Sequence, residues 1–274
     1  MTLPHPPTPQ ELAQGAWLTE HLAEPNLAWI PHGETLFYAR PGASPAPVWS
    51  PTLQLIQALR NRYPDPAHPV LRSRIFTTTP ITLLERQFVH LTAKKIRSLD
   101  LREAPPPRDP QVILLDLTAE AAFLRARTAA WHDERESALP AEGTPWEAAE
   151  WWSAQGSQVE ERYRSDRAIG ALLQLPDGTR LGAANLAGEN RSLHAEVNLV
   201  QRWWAREGRP IPADAQVFVT QQSCRMCAAI LVTACAAPET LRVYYRDPDP
   251  GRFAQSTELQ LLDLEVPDPG KERG

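Results

Sequence analysis

The sequence predicts an α/β protein of two domains. Short apolar stretches that are typical of strands alternate with longer stretches of helical periodicity. This series stops at 139–145, LPAEGTP, and then begins again. We therefore expect a smaller α/β domain over residues 1–143 and a second α/β domain over residues 144–274, each long enough to bury a core.

The first domain is predicted to contain a partly parallel sheet, because its strands and helices alternate. Residues 1–10 hold four prolines and are expected to be disordered. Leu53, Ile56 and Leu59 recur at helical spacing behind a proline, which suits the first turn of a helix. The run at 111–117 is short and apolar, which is typical of a buried strand. The predicted elements are a strand over 34–40, a helix over 51–62, a strand over 69–79, a helix over 80–99, a strand over 111–117 and a helix over 118–136.

The second domain is predicted to begin with a helix and a hairpin. Pro176, Asp177 and Gly178 are typical of the tight turn between two strands. No internal repeat is apparent in the sequence. The predicted elements are a helix over 146–164, strands over 168–175 and 179–188, a helix from near His194, a strand over 215–220, a helix over 224–237 and strands over 241–246 and 259–266.

Three residues of the second domain have the types and the spacing of metal ligands. Cys224 and Cys227 stand three positions apart at the start of a predicted helix, which places both sulfurs on one face of one turn. His194 begins another predicted helix 30 positions earlier and offers a third ligand. Cys235 lies about 12 Å further along its helix, at about 1.5 Å per residue, which is too far to share the ion. Because a catalytic zinc site has three protein ligands and a water, the pattern favours one catalytic Zn²⁺ per chain over a closed structural site.

Glu196 adds a general acid and base to this pattern. It lies two positions after His194, where its carboxylate can reach the open side of the metal without ligating it. A carboxylate there can take a proton from the water and pass it to a substrate. His-x-Glu followed by Cys-x-x-Cys is the signature of the zinc nucleobase deaminases. The simpler interpretation, two buried cysteines and a surface histidine, leaves the shared spacing and element order unexplained.

The segments HAEVNLV, VFVTQQSCRMCAAILVTA and LRVYYRDPDPG resemble the cytidine deaminase superfamily. Among its branches they most resemble the tRNA-adenosine and deoxycytidylate deaminases and the bacterial nucleic-acid deaminases. The resemblance covers about residues 146–250. It implies that residues 144–274 form a three-layer α/β/α sandwich with zinc between two helix N-termini, His194, Cys224 and Cys227 as ligands, and Glu196 as the catalytic residue.

The sequence departs from the family at two places. The usual Glu-Pro pair before the first cysteine reads Gln222-Ser223, which alters the wall of the substrate pocket, although a serine can cap the helix that follows. The segment between Asp247 and the last predicted strand is short, which leaves the direction of that strand open.

The resemblance also implies where the substrate is bound. Asn185 and Asn190 lie in the loop where the family places an asparagine on the sugar or base of the substrate. Ordinary turn chemistry is the alternative for both. Ala195 and Ser223 complete the expected substrate contacts.

We expect a hydrolytic zinc deaminase that converts cytosine to uracil or adenine to hypoxanthine. A nucleobase within DNA or tRNA is the favoured substrate, because an extra domain is present and residues 55–108 carry an excess of Arg and Lys. Solvated helix flanks would explain the same charges. Free nucleosides or nucleotides are the alternative substrates, consistent with a net charge of −5, and an inactive binding partner of the same fold is a third interpretation. One cluster of tryptophans is expected to pack in a core or at an interface between domains rather than to stack on bases: Trp146, Trp151, Trp152, Trp203 and Trp204.

The chain is expected to act in the cytoplasm, without a membrane. No signal peptide and no run of 18 apolar residues is found. Three cysteines are too few for a disulfide framework and fit a reducing compartment. Export as an effector by a dedicated secretion system would leave no mark in the sequence. The sequence is compatible with an oligomer.

Overall fold

The computed structural model describes residues 6–42, 49–65, 67–92, 95–104, 112–140, 142–158 and 167–268. Within these ranges the chain forms two five-stranded mixed sheets, each with its own helices. The predicted α/β class is therefore confirmed. No helix in these ranges combines the length and the apolar composition that a membrane span requires.

Backbone contacts divide the chain into two compact units. Residues 1–45 and 49–122 form one, called here the N-terminal unit, and residues 46–48 and 123–274 form the other, called the C-terminal unit. The division falls within a helix, Thr118–Glu136. The boundary predicted at 143/144 lies after this helix and stays a prediction.

The N-terminal unit is a mixed sheet with three helices of its own. Its strands have the order β4-β3-β1-β2-β5, in which β1 pairs antiparallel with β2 and β3, while β2 pairs parallel with β5 and β3 with β4. The partly parallel sheet is thus confirmed. Its elements are α1 (Pro9–Leu22), β1 (Ala28–His32), β2 (Thr35–Ala39), α2 (Pro51–Arg62), β3 (Arg74–Thr77), α3 (Leu83–Thr92), β4 (Lys95–Ser98), β5 (Ile113–Asp116) and the start of α4 (Thr118–Glu136).

One face of this sheet packs against α1. Trp29 on β1 is paired in register with Tyr38 on β2 and Phe76 on β3, so the three rings lie on the same face. They form a buried cluster with Leu18 of α1. On the opposite face of the sheet, α2 and α3 pack against each other and against the strands.

Several elements of this half differ from their predictions. The helix predicted over 80–99 ends at Thr92, and β4 follows it because the backbone pairs in parallel with β3. The lead-in predicted over 1–10 gives way to α1 at Pro9, where Thr8 and Glu11 form a capping box; residues 1–5 lie outside the described ranges. Strand β5 is not buried, since it is an edge strand and Ile113 is 62 % exposed.

The C-terminal unit has the strand order β10-β9-β8-β6-β7. Strand β6 pairs antiparallel with β7 and β8, and β8, β9 and β10 run parallel. The last strand, whose direction the sequence leaves open, is therefore parallel to β9, and a one-turn helix makes the crossover. The elements are α5 (Pro145–Gly156), β6 (Gly170–Gln174), β7 (Arg180–Ala184), α6 (Ala195–Glu207), β8 (Gln216–Gln221), α7 (Arg225–Ala234), β9 (Arg242–Asp247), α8 (Glu258–Leu261) and β10 (Glu265–Pro267).

Helices cover both faces of this sheet. Leu172, Phe218 and Tyr244 are in register on neighbouring strands and pack with Ala148 and the other small residues of α5. Helices α6 and α7 pack against each other and supply the third layer. The α/β/α sandwich is confirmed, although several elements are shorter than predicted. Helix α5 ends at Gly156 rather than at 164, β7 at Ala184 rather than at 188, and α7 at Ala234 rather than at 237, while the strand predicted over 259–266 starts only at Glu265.

Three of the tryptophans belong to this core, as predicted. Trp152, Trp203 and Trp204 are buried. Trp152 lies so close to β7 that any side chain at Gly182 would overlap its indole ring.

Candidate metal and catalytic site

Two helix N-termini form the centre of the site. His194 is the N-cap residue of α6, and Cys224 is the N-cap residue of α7. N-cap positions usually carry Ser, Thr, Asp or Asn, whose side chains bind the first free N–H groups of the helix. Neither His194 nor Cys224 makes such a bond. Their side chains instead turn towards each other.

The three predicted ligands come together. His194 Nδ1 lies 3.6 Å from Cys224 Sγ and 3.4 Å from Cys227 Sγ, and the two sulfurs are 3.5 Å apart. A tetrahedral zinc ion, with bonds of about 2.3 Å to sulfur and about 2.0–2.1 Å to nitrogen, holds its donors roughly 3.6–3.8 Å apart. The triangle of donor atoms therefore fits a single ion of this kind. Among the residues that the structure describes, it is the one such group of His, Cys, Asp or Glu.

Glu196 lies beside this triangle and is 3 % exposed. Its Oε1 accepts a hydrogen bond of 3.0 Å from the Ser223 hydroxyl. Burial, followed by the nearby negative charge of Cys224, raises the pKa of the Glu196 carboxyl. The Ser223 hydroxyl thus fixes the orientation of the Glu196 carboxyl.

Ser223 connects Glu196 to a second buried carboxylate. Its hydroxyl donates to Glu196, and its backbone N–H donates to Glu265 Oε1 at 3.0 Å. Glu265 lies on β10, and burial raises its pKa. Sequence reasoning missed Glu265, because the strand predicted over 259–266 also contains Gln260 and Asp263 and Glu265 does not stand out among them.

The cysteines are electrostatically unequal. The pKa of Cys224 is lowered, because its sulfur shares a hydrogen bond of 3.5 Å with the sulfur of Cys227 and His194 lies beside it. A thiolate is the form that binds metal and attacks electrophiles. The two N-caps also put the positive ends of two helix dipoles near the sulfurs, which favours negative charge there.

The predicted substrate residues have local roles in the structure. Asn185 donates from Nδ2 to the carbonyl of Arg167 at 2.6 Å and accepts from the N–H of Ala187 at 3.2 Å. Asn190 accepts from the N–H and the hydroxyl of Ser192 at 3.1 and 2.7 Å. Both asparagines therefore shape the loop that leads to His194.

Ala195 is the first residue of α6 and is buried. Its backbone N–H belongs to the first turn, where no intrahelical acceptor exists. Asn198 anchors the start of this helix, because its Nδ2 donates to the carbonyls of Ala184 and Leu193 at 2.8 and 3.1 Å. Sequence reasoning missed this anchoring residue as well.

The comparison with protein families agrees with this geometry. Residues 160–267, less than half of the chain, match the model of the Bd3614-like deaminase family. No curated protein matches the chain.

Three solved structures are similar. A tRNA:A34 deaminase, studied for A-to-I editing at the wobble position of transfer RNA, is 24 % identical, with a TM-score of 0.35 over 47 % of this chain and 86 % of that one. The dCMP deaminase of cyanophage S-TIM5 in its apo form is 22 % identical, with a TM-score of 0.32 over 45 % and 92 %. The same enzyme in complex with dCMP and dUMP is 18 % identical, with a TM-score of 0.33 over 50 % and 97 %.

The C-terminal half thus carries a deaminase-like domain. The segment that matches the family model contains the elements from β6 to β10, and the His-Cys-Cys cluster lies within this segment. The type of substrate does not follow from these similarities.

Proposed function

We propose that this protein is a zinc-dependent hydrolytic deaminase of a nucleobase. One observation carries the proposal: three donor atoms of His194, Cys224 and Cys227 form a triangle of zinc-site dimensions next to the buried carboxylate of Glu196. When bound by these residues, zinc would lower the pKa of a water molecule and so supply the nucleophile at neutral pH.

Glu196 performs the proton transfers. It takes a proton from the attacking water, and oxygen forms a bond to C4 of cytosine or C6 of adenine. The carboxyl then gives that proton to the adjacent ring nitrogen. Glu196 next takes the proton of the new hydroxyl group and gives it to the exocyclic amine. The C–N bond breaks as the carbonyl forms, so that one water is consumed and ammonia leaves. The raised pKa of Glu196 matches a group that must both accept and donate a proton.

We propose a base within a polynucleotide, DNA or tRNA, as the substrate. The support is the extra N-terminal unit and the Arg/Lys excess over 55–108. Part of that excess is already paired or buried: Arg62 contacts Glu120 at 3.3 Å, Arg74 contacts Glu11 at 2.8 Å, and Arg60 is 4 % exposed. The free nucleotide is therefore the second candidate, favoured by these internal pairs.

The proposed substrate contacts are Asn185, Asn190, Ala195 and Ser223. Ala195 would offer its first-turn N–H, and Ser223 its position next to Glu196. Asn185 would exchange its bond to a loop backbone for one to the substrate. In this proposal the loop closes further when substrate enters.

The test is a deamination screen with three forms of the full chain: wild type, Glu196→Ala, and Glu207→Ala as a control at the surface end of the same helix. Single-stranded DNA, duplex DNA, total tRNA, free nucleosides and free nucleotides are incubated, digested, and scored by mass for uridine, deoxyuridine and inosine products. Zinc content is measured on each protein. We expect wild type and Glu207→Ala to be active, and Glu196→Ala to keep zinc but lose turnover.

The substrate classes separate in the same screen. Product from a polymer alone, with a rate that falls steeply as salt rises, supports the polynucleotide. Product from free nucleotides alone, with little salt dependence, makes the second candidate correct. Wild-type turnover by Glu196→Ala would refute the catalytic role, and zinc binding without any product would leave the third interpretation, an inactive binding partner.

A further inference from the structure

The two units share one order of elements. Each begins with a helix, continues with an antiparallel hairpin, and then follows helix, strand, helix, strand: α1-β1-β2-α2-β3-α3-β4 in the N-terminal unit and α5-β6-β7-α6-β8-α7-β9 in the C-terminal unit. The strand orders correspond as well, β4-β3-β1-β2 and β9-β8-β6-β7. Every pairing has the same direction: the hairpin and the next strand are antiparallel, and the last pair is parallel. The units differ only in their fifth strand, which flanks β2 in one and β9 in the other.

The first helices begin in the same way. Thr8-Pro9-Gln10-Glu11 and Thr144-Pro145-Trp146-Glu147 are both capping boxes with proline in the first turn. The shared T-P-x-E pattern is only four residues long, which is too short to indicate an internal repeat from the sequence alone. The second helices have 12 and 13 residues, and the third helices have 10 each.

The correspondence extends to the positions of the metal ligands. His194 is the N-cap of α6, and the N-cap of α2 is Ser50. Cys224 is the N-cap of α7 and Cys227 its third residue. In the N-terminal unit, Thr82 stands before α3 and accepts the first helical bond of that helix, from Arg86.

Glu85 is the third residue of α3 and thus corresponds to Cys227. It joins the two helix N-termini: Ser50 Oγ donates to Oε1 at 3.0 Å, and Thr82 donates to Oε2 from its hydroxyl at 3.1 Å and its N–H at 2.8 Å. Glu85 is 1 % exposed. A carboxylate between two helix N-termini is stabilised by both helix dipoles. Metal-bound thiolates would lie in the equivalent electrostatic environment in the C-terminal unit.

We infer that the N-terminal unit is a metal-free second copy of the deaminase-like fold, in which Ser50, Thr82 and Glu85 replace the three ligands and a hydrogen-bonded carboxylate replaces the ion. The unit contains no cysteine, since all three lie beyond residue 223. The position of the catalytic carboxylate, two after the N-cap, is Thr52, whose buried Oγ1 has no hydrogen-bond partner among the described residues. At this point the copy therefore holds two helices together, and at the position that corresponds to Glu196 it has a threonine instead of a carboxylate. The inference rests on the proposed function only in taking His194, Cys224 and Cys227 as ligands.

The test introduces metal-ligand residues at the three corresponding positions of the N-terminal unit, in a variant called here the graft. On a Cys224→Ser/Cys227→Ser background, which removes the C-terminal site, the full chain receives Ser50→His/Thr82→Cys/Glu85→Cys. Cobalt(II) is the probe, because thiolate charge-transfer bands report sulfur ligation. A matched control carries Ser50→His/Leu83→Cys/Arg86→Cys, which keeps the spacing but shifts both cysteines by one position, with Leu83 48 % exposed. We expect one cobalt per wild-type chain, none on the double-serine background, one with two thiolates on the graft, and at least tenfold weaker binding on the control.

Each outcome is decisive. A folded graft that binds no better than the control would overturn the correspondence of positions. Metal retained at one per chain by the double-serine background would overturn the claim that the N-terminal unit is metal-free. If the triple graft does not fold with or without metal, Thr82→Cys/Glu85→Cys, which leaves Ser50 in place, is tested against Leu83→Cys/Arg86→Cys by the same criterion. Absence of metal from wild type would count against the proposed function instead, and the graft would still be judged on its own background.

Discussion

Ser223 is the residue on which the candidate site departs most from the family it resembles. A proline there could wall the pocket but could donate no hydrogen bond. Serine donates two, one to Glu196 and one to Glu265, at 3.0 Å each. The departure therefore changes how the carboxylate of Glu196 is held. Its partner Ser223 is itself bound through its backbone N–H to Glu265 on the last strand.

Ser223→Ala tests this positioning role. It removes the hydroxyl but keeps the backbone N–H, so Glu265 stays paired while Glu196 loses its donor. A hydrogen bond to a charged group contributes about 1.5–3 kcal/mol, which corresponds to a fall in kcat of roughly tenfold to a hundredfold. We expect KM to change little, and Ser223→Thr, which restores a hydroxyl, to recover most of kcat. The measurement is steady-state kinetics on the substrate found in the deamination screen.

A different split of the two constants would contradict this role. A rise in KM at unchanged kcat would assign Ser223 to substrate binding alone. Equal losses in the alanine and threonine variants would show that the shape of the helix start, and not the hydroxyl, is what matters.

At the scale of elements, α4 supplies a hydrogen-bond partner to the edge strand of the C-terminal sheet. Strand β7 is its edge, and an open edge leaves N–H and carbonyl groups unpaired. His132 of α4 accepts from the N–H of Ala184 at 3.0 Å, while its Nδ1 donates to the carbonyl of Thr128 at 2.7 Å. Arg202 of α6 donates to the Gly182 carbonyl on the same strand. The His132 contact ties α4 to β7, in agreement with the grouping of residues 123–274 in the C-terminal unit.

His132 predicts a loss of stability in mild acid. It is fully buried and accepts a hydrogen bond, so it must be neutral, and burial lowers its pKa to about 4. As pH falls below about 6.5 the unfolded chain binds a proton that the folded chain does not. The contribution is thus complete above pH 6.5 and is lost progressively down to about pH 4, by about 3 kcal/mol in total.

The measurement is urea unfolding of the metal-free chain at pH 7, 6 and 5. We expect the free energy of unfolding of wild type to fall with acid more steeply than that of His132→Gln, whose side chain does not titrate. His21→Gln, at an exposed position of α1, controls for the substitution itself. Parallel pH profiles for wild type and His132→Gln would show that His132 is not held neutral.

The elements that could be predicted from the sequence are those with a strong local signal. Helices α4 and α2 have the bounds that the sequence predicts, because each has a clear periodicity and a clear start. The residues of β4 look helical because they continue the pattern of α3; only pairing with β3 makes them a strand. The triangle of donor atoms could be predicted because His-x-Glu and Cys-x-x-Cys are short local motifs at two predicted helix starts. Glu265, in contrast, reaches Ser223 only through the parallel placement of β10, which no local signal gives.

At the scale of the whole molecule, one fold occurs twice, and the starts of the corresponding helices are joined in a different way in each unit. In the C-terminal unit the starts of α6 and α7 meet through donor atoms that a metal can bind. In the N-terminal unit the starts of α2 and α3 meet through Glu85. A ligand that binds only the folded state stabilises it in proportion to its affinity and concentration, whereas the hydrogen bonds of Glu85 are present at any metal concentration.

Removal of zinc should therefore loosen one pair of helices and leave the other unchanged. We expect amide hydrogen exchange in the first two turns of α6 and α7 to become at least about tenfold faster when a chelator strips the metal at neutral pH, since local opening no longer has to release a bound ion. The corresponding turns of α2 and α3 should keep their rates. Exchange is followed by mass spectrometry of peptides from the full chain, with and without zinc. Glu85→Ala supplies the reciprocal case: it should speed exchange in α2 and α3 with zinc present, and leave α6 and α7 protected. Equal acceleration of both pairs on chelation would contradict the expectation, because it would mean that the metal also holds the N-terminal unit.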